Sequence, residues 1–209
     1  MKKGVPEISI MRLAIYFRFL NEYAREKGPD STINSEDLAR RLDMNPHQIR
    51  KDLSYFGRFG APGVGYRTIE LKDKIAVILG LDKKWNMCLC GAGNLGSALC
   101  AYRGFRQLNL NIVAIFDNDP RKIGKTIQGI PIYSHKDIKR VASRLKITIG
   151  IIAVPLAAAQ DTADELTHAG IRAILNFAPL ALNVPRSVKP RNVDLSNELV
   201  NLTHFLVDK

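Results

Sequence analysis

Three glycines at the spacing Gly-x-Gly-x-x-Gly, namely Gly91, Gly93 and Gly96, directly follow the apolar run "MCLC". In such a loop the first glycine permits a tight turn, the second lets a pyrophosphate approach the backbone, and the third lets the next helix pack closely on the strand. The anion then lies at the positive end of the helix dipole. The predicted dinucleotide-binding loop consists of Gly91, Ala92, Gly93, Asn94, Leu95 and Gly96.

An acidic residue follows at the distance that such a site requires. Asp117 ends the run "NIVAIFD", twenty-one residues after Gly96. A carboxylate there accepts hydrogen bonds from the adenosine ribose and repels a 2′-phosphate, which favours NAD(H) over NADP(H). Arg121 and Lys122 lie close by and weaken this preference. A glycine-rich turn without a ligand is the alternative, but strand, glycines, helix and acid arrive in the expected order.

A second candidate site lies in the run "NPHQIRKDLSYFG" (45–57). Asn45 suits a helix N-cap and Pro46 the first helical position, while Ile49, Leu53 and Phe56 repeat on one face. The helix is predicted to end at Gly57. The opposite face carries donors that reach phosphates and base edges in a DNA major groove. These predicted DNA-binding residues are His47, Gln48, Arg50, Lys51, Ser54 and Tyr55.

The elements around this helix match a known DNA-binding order. Apolar spacing predicts a first helix over 8–27, and acids at the start of "EDLARRL" predict a second that ends near Leu42. The glycine-rich run "FGRFGAPGVGYRTIEL" predicts a β-hairpin wing. Its strand formers are Val64, Tyr66, Thr68 and Ile69, and its DNA contacts are Arg58 and Arg67. Three helices and a wing indicate a winged-helix domain that binds DNA, or alternatively one that binds protein.

The second half alternates between apolar strands and helices. We predict a connecting helix over 71–85, a final helix over 196–207 capped by Ser196, and a parallel sheet covered on both faces. The predicted strands are 87–91, 111–117, 147–154 and 173–178, with helices that begin at Asn94 and Ser134 and one over 157–169. The fold class is therefore α/β. The predicted domains are a winged-helix domain (1–80), a Rossmann dinucleotide-binding domain (81–192) and a C-terminal helix (193–209).

Composition restricts the setting of these domains. The chain has 209 residues, 46% of them hydrophobic, and a formal net charge of +11, which suits a polyanionic partner. Residues 40–67 carry six Lys and Arg against two Asp. The longest uncharged apolar run, 147–160, is interrupted by Gly150 and Pro155, so no membrane span is expected. The residues after the first methionine do not resemble an export signal. We expect a cytoplasmic protein.

The cysteines and histidines indicate neither a metal site nor catalysis. Cys88, Cys90 and Cys100 lack a CxxC spacing and are expected to be buried thiols in a reducing compartment. A YxxxK match, Tyr23 to Lys27, precedes the nucleotide loop and is interpreted as chance. No histidine lies in an evident acid-base constellation. We predict that the chain is not an enzyme. The alternative is a small NAD-dependent oxidoreductase with an N-terminal interaction domain.

Ordered blocks along the whole chain resemble the Rex family of redox-sensing transcriptional repressors. They are "QIRKDLSYFG", "GVGY", "CGAGNLGSAL", "YRGF", "FDNDP", "VP", "LNFAP" and "NVDL". The resemblance implies a homodimer that binds a palindromic double-stranded DNA operator. It also implies that NADH is the effector that releases DNA, while NAD+ is a weaker competing ligand. It indicates no protein partner beyond a second copy.

The resemblance also implies roles for individual residues. Tyr102 is expected to approach the nicotinamide, with a buried structural tyrosine as the alternative, and Pro155 and Asn176 are expected to contact the cofactor. Arg18 and Asp194 are expected to pair in the NADH-bound form. The final helix is expected to cross to the partner subunit, the alternative being that it packs on its own sheet. Leu195 stands where the family often has an aromatic ring over the nicotinamide.

Overall fold

The computed structural model describes residues 4–60 and 64–207. The chain divides into two compact units, residues 1–83 and 84–209. Within the described ranges, none of the helices combines the length and the apolar character that a membrane span requires.

The first unit contains four helices and a small sheet. Its helices are α1 (Glu7–Lys27), α2 (Ser35–Leu42), α3 (Pro46–Ser54) and α4 (Thr68–Leu79). Strand β1 (Thr32–Ile33) pairs antiparallel with β2 (Tyr66–Arg67). The helices enclose a core of fully buried side chains from all four, among them Leu13, Leu20, Leu38, Ile49 and Ile75. The apolar spacing read from the sequence therefore marks the buried faces.

Two predictions for this unit are wrong, one for the end of a helix and one for the pairing of a strand. Helix α3 ends at Ser54 rather than at Gly57, so Phe56 packs against the core from the loop after the helix. The predicted hairpin is also wrong, because β2 pairs with β1 from the loop after α1. Thr68 and Ile69 begin α4, since Thr68, Leu71 and Ile75 are buried at helical spacing. Residues 61–63 of the predicted wing lie outside the described residues.

The second unit is built on a seven-stranded sheet with the order β5-β6-β4-β3-β7-β8-β9. All neighbouring pairs are parallel except β5 with β6. The strands are β3 (Trp85–Cys90), β4 (Leu110–Asp117), β5 (Thr126–Ile127), β6 (Ile130–Ser134), β7 (Ile149–Ile152), β8 (Ala173–Asn176) and β9 (Lys189–Asn192). The order reverses between β3 and β7, which is the point where Rossmann folds bind dinucleotides. The predicted α/β class is confirmed.

Helices cover both faces of this sheet. They are α5 (Asn94–Ala101), α6 (Gly104–Gln107), α7 (Ile138–Arg144) and α8 (Leu156–His168), and a further helix, α9 (Leu195–Val207), follows β9. The helix predicted from Ser134 starts later, because Ser134 ends β6 and a short 3-10 helix, His135–Asp137, precedes α7. The sequence analysis did not predict β5, β6, β9 or α6. The predicted connecting helix also extended too far, since Trp85 already belongs to β3.

The cysteines are free and buried, as predicted. Cys88 and Cys90 point to the same face of β3, where they pack with Phe116 and Ile152, whereas Leu89 faces the other core. A hydrogen bond with the Cys88 thiol, together with complete burial, holds the pKa of Cys90 well above its usual range. Across the described parts of the chain, no group of three or more His, Cys, Asp or Glu is arranged to hold a metal ion.

The last helix, α9, has no buried residue. The alternative in which it packs on its own sheet is therefore wrong for this chain taken alone. Ser196 is not its cap either, because it lies inside the helix. The Asp194 carboxylate instead accepts hydrogen bonds from the backbone N–H groups of Ser196 (3.0 Å) and Asn197 (3.1 Å). Asp194 is thus the residue that caps α9.

Candidate DNA-binding helix and dinucleotide-binding loop

The glycine loop leaves β3 with the geometry that its spacing predicts. Gly91 has φ +103°, and a Cβ there would overlap the carbonyl oxygen of Ala153 at the end of β7. At Gly96 a Cβ would overlap the carbonyl oxygen of Gly91, so this glycine permits close contact between α5 and the loop. A Cβ at Gly93 would meet nothing within 4 Å. The first and third glycines are therefore required by the protein itself, while the second faces open space.

The carboxylate of Asp117 holds this loop from the neighbouring strand. Its Oδ2 accepts a hydrogen bond from the backbone N–H of Ala92 (2.7 Å), and its Oδ1 accepts one from Asp119 N–H (2.8 Å). Lys122 Nζ lies 3.3 Å from the same Oδ2. Burial alone raises the pKa of Asp117, but the two backbone N–H groups and Lys122 outweigh it and lower the pKa below its usual value. Asp117 is therefore an anion at neutral pH.

The two basic residues near Asp117 form ion pairs with different acids. Arg121 forms a two-pronged contact with Asp119, with Nη2 2.8 Å from Oδ2, while Lys122 contacts Asp117. The sequence analysis noted both cations but did not predict which acid each would meet. Since Lys122 partly neutralises Asp117, the repulsion of a 2′-phosphate is weaker than an isolated carboxylate would give.

Three further predicted cofactor residues differ in their exposure. Tyr102 directly follows α5, is 59% exposed, and contacts Phe105 edge to face, so the alternative of a buried structural tyrosine is wrong. Pro155 is exposed and caps α8 beyond the end of β7. Asn176 is fully buried, and its amide donates to the carbonyl oxygens of Ala178 and Leu180. Asn176 thus shapes the loop after β8 and presents no exposed surface to a ligand.

Helix α3 presents its polar face as predicted. Asn45 caps it through a hydrogen bond from His47 N–H to Oδ1 (2.8 Å), and Pro46 occupies the first position. Ile49 and Leu53 are buried, whereas His47, Lys51 and Ser54 are exposed. Gln48 turns inward and donates to Asp52 (2.9 Å). Lys51 and Arg58 form no ion pair with any residue in 4–60 or 64–207, so both cations are available for phosphates.

Two predicted DNA-binding arginines already have acidic partners. Arg50 lies 2.7 Å from Glu36 of α2. Arg67 lies 2.8 Å from Glu70 and 3.6 Å from Asp30. Tyr55 is half-buried directly after α3. A contact between DNA and Arg50 or Arg67 would therefore require the arginine to share or leave its carboxylate partner.

The sequence analysis did not predict the polar cluster behind α3. Asp52 is completely buried and accepts two hydrogen bonds from Arg12 of α1, at 2.5 and 2.7 Å, and one from the Tyr16 hydroxyl at 2.8 Å. Burial raises the pKa of Asp52, but these donors and Gln48 outweigh it, and the net shift is downward. The sequence signal was an acid beside Leu53, on the buried side of an amphipathic helix. The cluster fixes α3 on α1.

The proposed switch residues lie on different units. Arg18 is exposed on α1, and Asp194 is half-buried ahead of α9. Leu195 is the first residue of α9 and is 55% exposed. Pairing between Arg18 and Asp194 stays a prediction.

These features define a class of protein in which a DNA-binding type of helical unit is joined to a Rossmann unit with a nucleotide loop. A family model described as "Putative DNA-binding protein N-terminus" matches residues 4–54, and one described as "CoA binding domain" matches residues 82–180. Two curated proteins named redox-sensing transcriptional repressor Rex are 50% identical over 199 residues. The one from Desulfitobacterium hafniense aligns over 95% of this chain and 94% of its own, and the one from Carboxydothermus hydrogenoformans over 95% of both.

Solved structures agree with these relatives. The crystal structure of RSP in complex with beta-NAD+ and operator DNA matches 99% of this chain and 94% of its own, with a TM-score of 0.94 and 39% identity. RSP in complex with beta-NADH matches with a TM-score of 0.88 and 38% identity, over 99% of this chain and 96% of its own. The chain belongs to the Rex family of redox-sensing transcriptional repressors. The relatives are named as repressors rather than enzymes, which confirms the prediction that this chain is not an enzyme.

Proposed function

We propose that this protein represses transcription by binding a palindromic DNA operator through α3 and that NADH bound at the glycine loop releases it. The observation that carries the proposal is the presence of both sites in one chain: a capped helix with exposed cations, and a loop whose Gly93 faces open space. RSP, 39% identical over 99% of this chain, has been crystallised with beta-NAD+ and operator DNA together. We therefore propose that NAD+, the weaker competing ligand, can occupy the site without releasing DNA.

The rival function is a small NAD-dependent oxidoreductase, and one experiment separates the two. Retention of a duplex selected by the protein from a randomised library is measured while NADH and NAD+ are titrated separately. We expect NADH to release the duplex at a lower concentration than NAD+ and to remain unoxidised, as followed by its absorbance. Consumption of NADH with a simple carbonyl compound supports the oxidoreductase instead.

The nucleotide is proposed to bind across the carboxyl ends of β3, β4 and β7. The loop residues 91–96 receive the pyrophosphate at the N-terminus of α5. Asp117 accepts the ribose hydroxyls with the lone pairs that its two backbone donors leave free. Tyr102 and Pro155 are both exposed and are proposed nicotinamide contacts. Asn176 supports the site indirectly through the loop after β8.

The DNA contacts are proposed to be of two kinds. Helix α3 enters the major groove with His47, Arg50, Lys51 and Ser54, while Arg58 and Arg67 contact phosphates. Lys51→Ala is expected to weaken operator binding and to leave NADH affinity and folding unchanged, because Lys51 forms no ion pair within 4–60 or 64–207 and does not belong to the nucleotide loop. Loss of one phosphate contact should lower the slope of the logarithm of the DNA-binding constant against the logarithm of salt concentration by about one unit, without changing sequence preference. Loss of a base contact should instead cost about 1–3 kcal/mol of binding free energy. Gln48 and Tyr55 are proposed to contribute at the edge of this surface.

Helix α9 is proposed to cross to a second copy of the chain and so to form the homodimer. Four of its apolar side chains form a stripe and are 59–76% exposed in the single chain, and an apolar surface of this extent is typical of an interaction site. These residues are Leu199, Leu202, Phe205 and Leu206. Leu199→Asp is expected to shift the protein toward monomers in sedimentation experiments, whereas Asn197→Asp, on the side of the helix away from this stripe, is the matched control. A dimer that persists in Leu199→Asp argues against this role.

Under this proposal the domains are 1–80, 81–192 and 193–209, with the last segment acting in the partner. Because a repressor must reach chromosomal DNA, we also propose a cytoplasmic location.

A further inference from the structure

Arg50 on the polar face of α3 is held by a carboxylate and a hydroxyl from α2. Its Nη1 donates to Glu36 Oε1 (2.7 Å) and to Ser35 Oγ (2.6 Å). The Ser35 hydroxyl in turn donates to Glu36 Oε2 (3.1 Å). The three side chains therefore form a closed ring of hydrogen bonds, which we call the Arg50 clamp.

The clamp is presented by a rigid part of the unit. Helix α2 is capped by Asn34, whose side chain accepts from Asp37 N–H (2.7 Å), and Ser35 is 7% exposed. Leu38 of α2 and Ile49 of α3 are both fully buried in the same core. Since both helices are packed in one core, the backbones of Glu36 and Arg50 keep a constant distance, and the hydrogen bonds of the clamp hold the two side chains.

The ring leaves part of the guanidinium free. An arginine has five N–H donors in a fixed fork, and the clamp uses only Nη1. The side chain of Arg50 is still 41% exposed, so the remaining donors can reach a partner outside the protein. Their direction is set by Glu36 and Ser35 before any DNA is bound.

Glu36 also places a negative charge beside this cation. The Glu36 side chain is 58% exposed, and the hydrogen bond from Arg50 lowers the pKa of its carboxyl. A charged carboxylate at this position repels phosphates that approach Arg50, whereas Lys51 on the same helix has no such neighbour among the described residues. Arg50 and Lys51 thus meet DNA under different electrostatic conditions.

We propose that Glu36 is a positioning residue that restricts Arg50 to a sequence-dependent contact and prevents it from serving as a general phosphate contact. A free arginine binds phosphates at any sequence, which raises non-specific affinity. A held arginine loses less conformational entropy when it meets a base edge that matches its direction. This role rests on the proposed function, in which α3 enters the major groove.

The test compares two isosteric substitutions at adjacent positions. Glu36→Gln and Asp37→Asn each remove one negative charge from the first turn of α2, but Asp37 contacts Arg40 instead of Arg50. Affinity is measured for the duplex that the wild type selects from a randomised library and for a duplex of random sequence. The ratio compared is the affinity for the selected duplex divided by the affinity for the random duplex. Glu36→Gln is expected to lower this ratio about tenfold, which corresponds to the contribution of a good base contact. Asp37→Asn is expected to change both affinities by the same factor.

Two further variants test whether Glu36 acts through the geometry of the clamp instead of through its charge alone, and whether it acts through Arg50. Glu36→Asp keeps the charge but withdraws the carboxylate by one methylene group, and it is expected to lower the ratio as well. In an Arg50→Ala background, Glu36→Gln is expected to leave the ratio unchanged. A further loss of the ratio in that background contradicts a role through Arg50, and the thermal midpoint of each variant shows whether it is folded.

The outcomes distinguish the two proposals. Equal ratios for Glu36→Gln and Asp37→Asn, together with a clearly selected duplex, contradict only the role of Glu36. If the wild-type protein selects no duplex at all, the proposed function fails and the role of Glu36 fails with it.

Discussion

The carboxylate of Asp117 accepts a hydrogen bond from the backbone N–H of Ala92 at 2.7 Å, which ties the end of β4 to the loop that follows β3. The residue proposed to bind the ribose therefore also shapes the loop proposed to bind the pyrophosphate. An asparagine at this position has one acceptor oxygen and cannot accept from Ala92 and Asp119 in the same way. Ribose binding and loop order are thus coupled through one side chain.

Asp117→Asn is expected to weaken NADH binding and to lower the free energy of unfolding by about 1–3 kcal/mol, because a buried N–H loses its charged acceptor. It should also narrow the difference between NADH and NADPH affinity, since the repelling charge is removed. Asp117→Arg should move the preference toward NADPH. Asp137→Asn, an acid paired with Arg140 on the same unit, is the control. Unaltered NADH affinity in Asp117→Asn contradicts the proposed ribose contact.

The second and third glycines of the loop should respond differently to a side chain. A Cβ at Gly93 meets no atom within 4 Å apart from its chain neighbours, and the backbone there is allowed at φ −85°, so Gly93→Val should leave the thermal midpoint unchanged. NADH should nevertheless fail to bind and to release DNA, because the side chain occupies the pyrophosphate site. Gly96→Ala should instead lower the thermal midpoint, since its methyl group overlaps the Gly91 carbonyl. Normal NADH response in Gly93→Val refutes the loop assignment.

Local signals explain which elements the sequence predicts. Asn45 and Pro46 mark the start of α3, and the glycines with Asp117 mark the nucleotide loop, because each depends on residues a few positions apart. Thr68 and Ile69 were assigned to a strand from their β-branched side chains, but packing of Thr68, Leu71 and Ile75 into the core makes this segment a helix. Tertiary contact overrides local preference there.

Elements without an apolar pattern were not predicted. Strand β9, "KPRN", has no buried residue, and it pairs with β8 at the edge of the sheet. The polar clusters were missed for a different reason. Arg12 and Asp52 are forty positions apart, and Glu36 and Arg50 are fourteen apart, so only the packing of the helices brings them together. A single sequence carries no direct signal for such contacts.

The pair formed by Arg12 and Asp52 should dominate the polar stability of the first unit. Asp52→Ala leaves the Arg12 guanidinium without its carboxylate and is expected to lower the free energy of unfolding by about 3–5 kcal/mol. Asp73→Asn, an exposed acid beside Lys72, is the control and should change it by less than about 0.5 kcal/mol. Urea unfolding followed by circular dichroism measures both. Equal stability of the two variants contradicts a structural role for the pair.

The Asp52 carboxylate should also make the stability of the first unit depend on pH. Because the folded-state pKa of Asp52 is lowered, its stabilising contribution is complete above its unfolded pKa of about 3.9 and is lost as the pH falls through the folded value. The protection factors of α1 and α3 amides, which are exchange rates corrected for the intrinsic effect of pH, should therefore fall below about pH 4 in the wild type. In Asp52→Asn this fall in protection should be smaller, since the titrating group is absent. An identical acid response in both proteins excludes Asp52 as its source.

The proposed pair between Arg18 and Asp194 calls for a substitution that spares the helix cap. Asp194→Ala removes both a charge and the acceptor for Ser196 and Asn197 N–H, whereas Asp194→Asn removes the charge and keeps an effective cap. Asp194→Asn or Arg18→Ala is expected to raise the NADH concentration needed for DNA release, with affinity for DNA in the absence of nucleotide little changed.

An ion pair made only in the NADH-bound state favours that state by its net worth, about 1 kcal/mol for a partly exposed pair, which is roughly fivefold in concentration. Arg25→Ala, on the exposed side of the same helix, controls for the loss of a cation from α1. In a double-mutant cycle, Arg18→Ala should add nothing further to Asp194→Asn, because either change alone already removes the interaction. Additive effects on NADH-driven release mean that the two residues act independently, and the switch must then lie elsewhere.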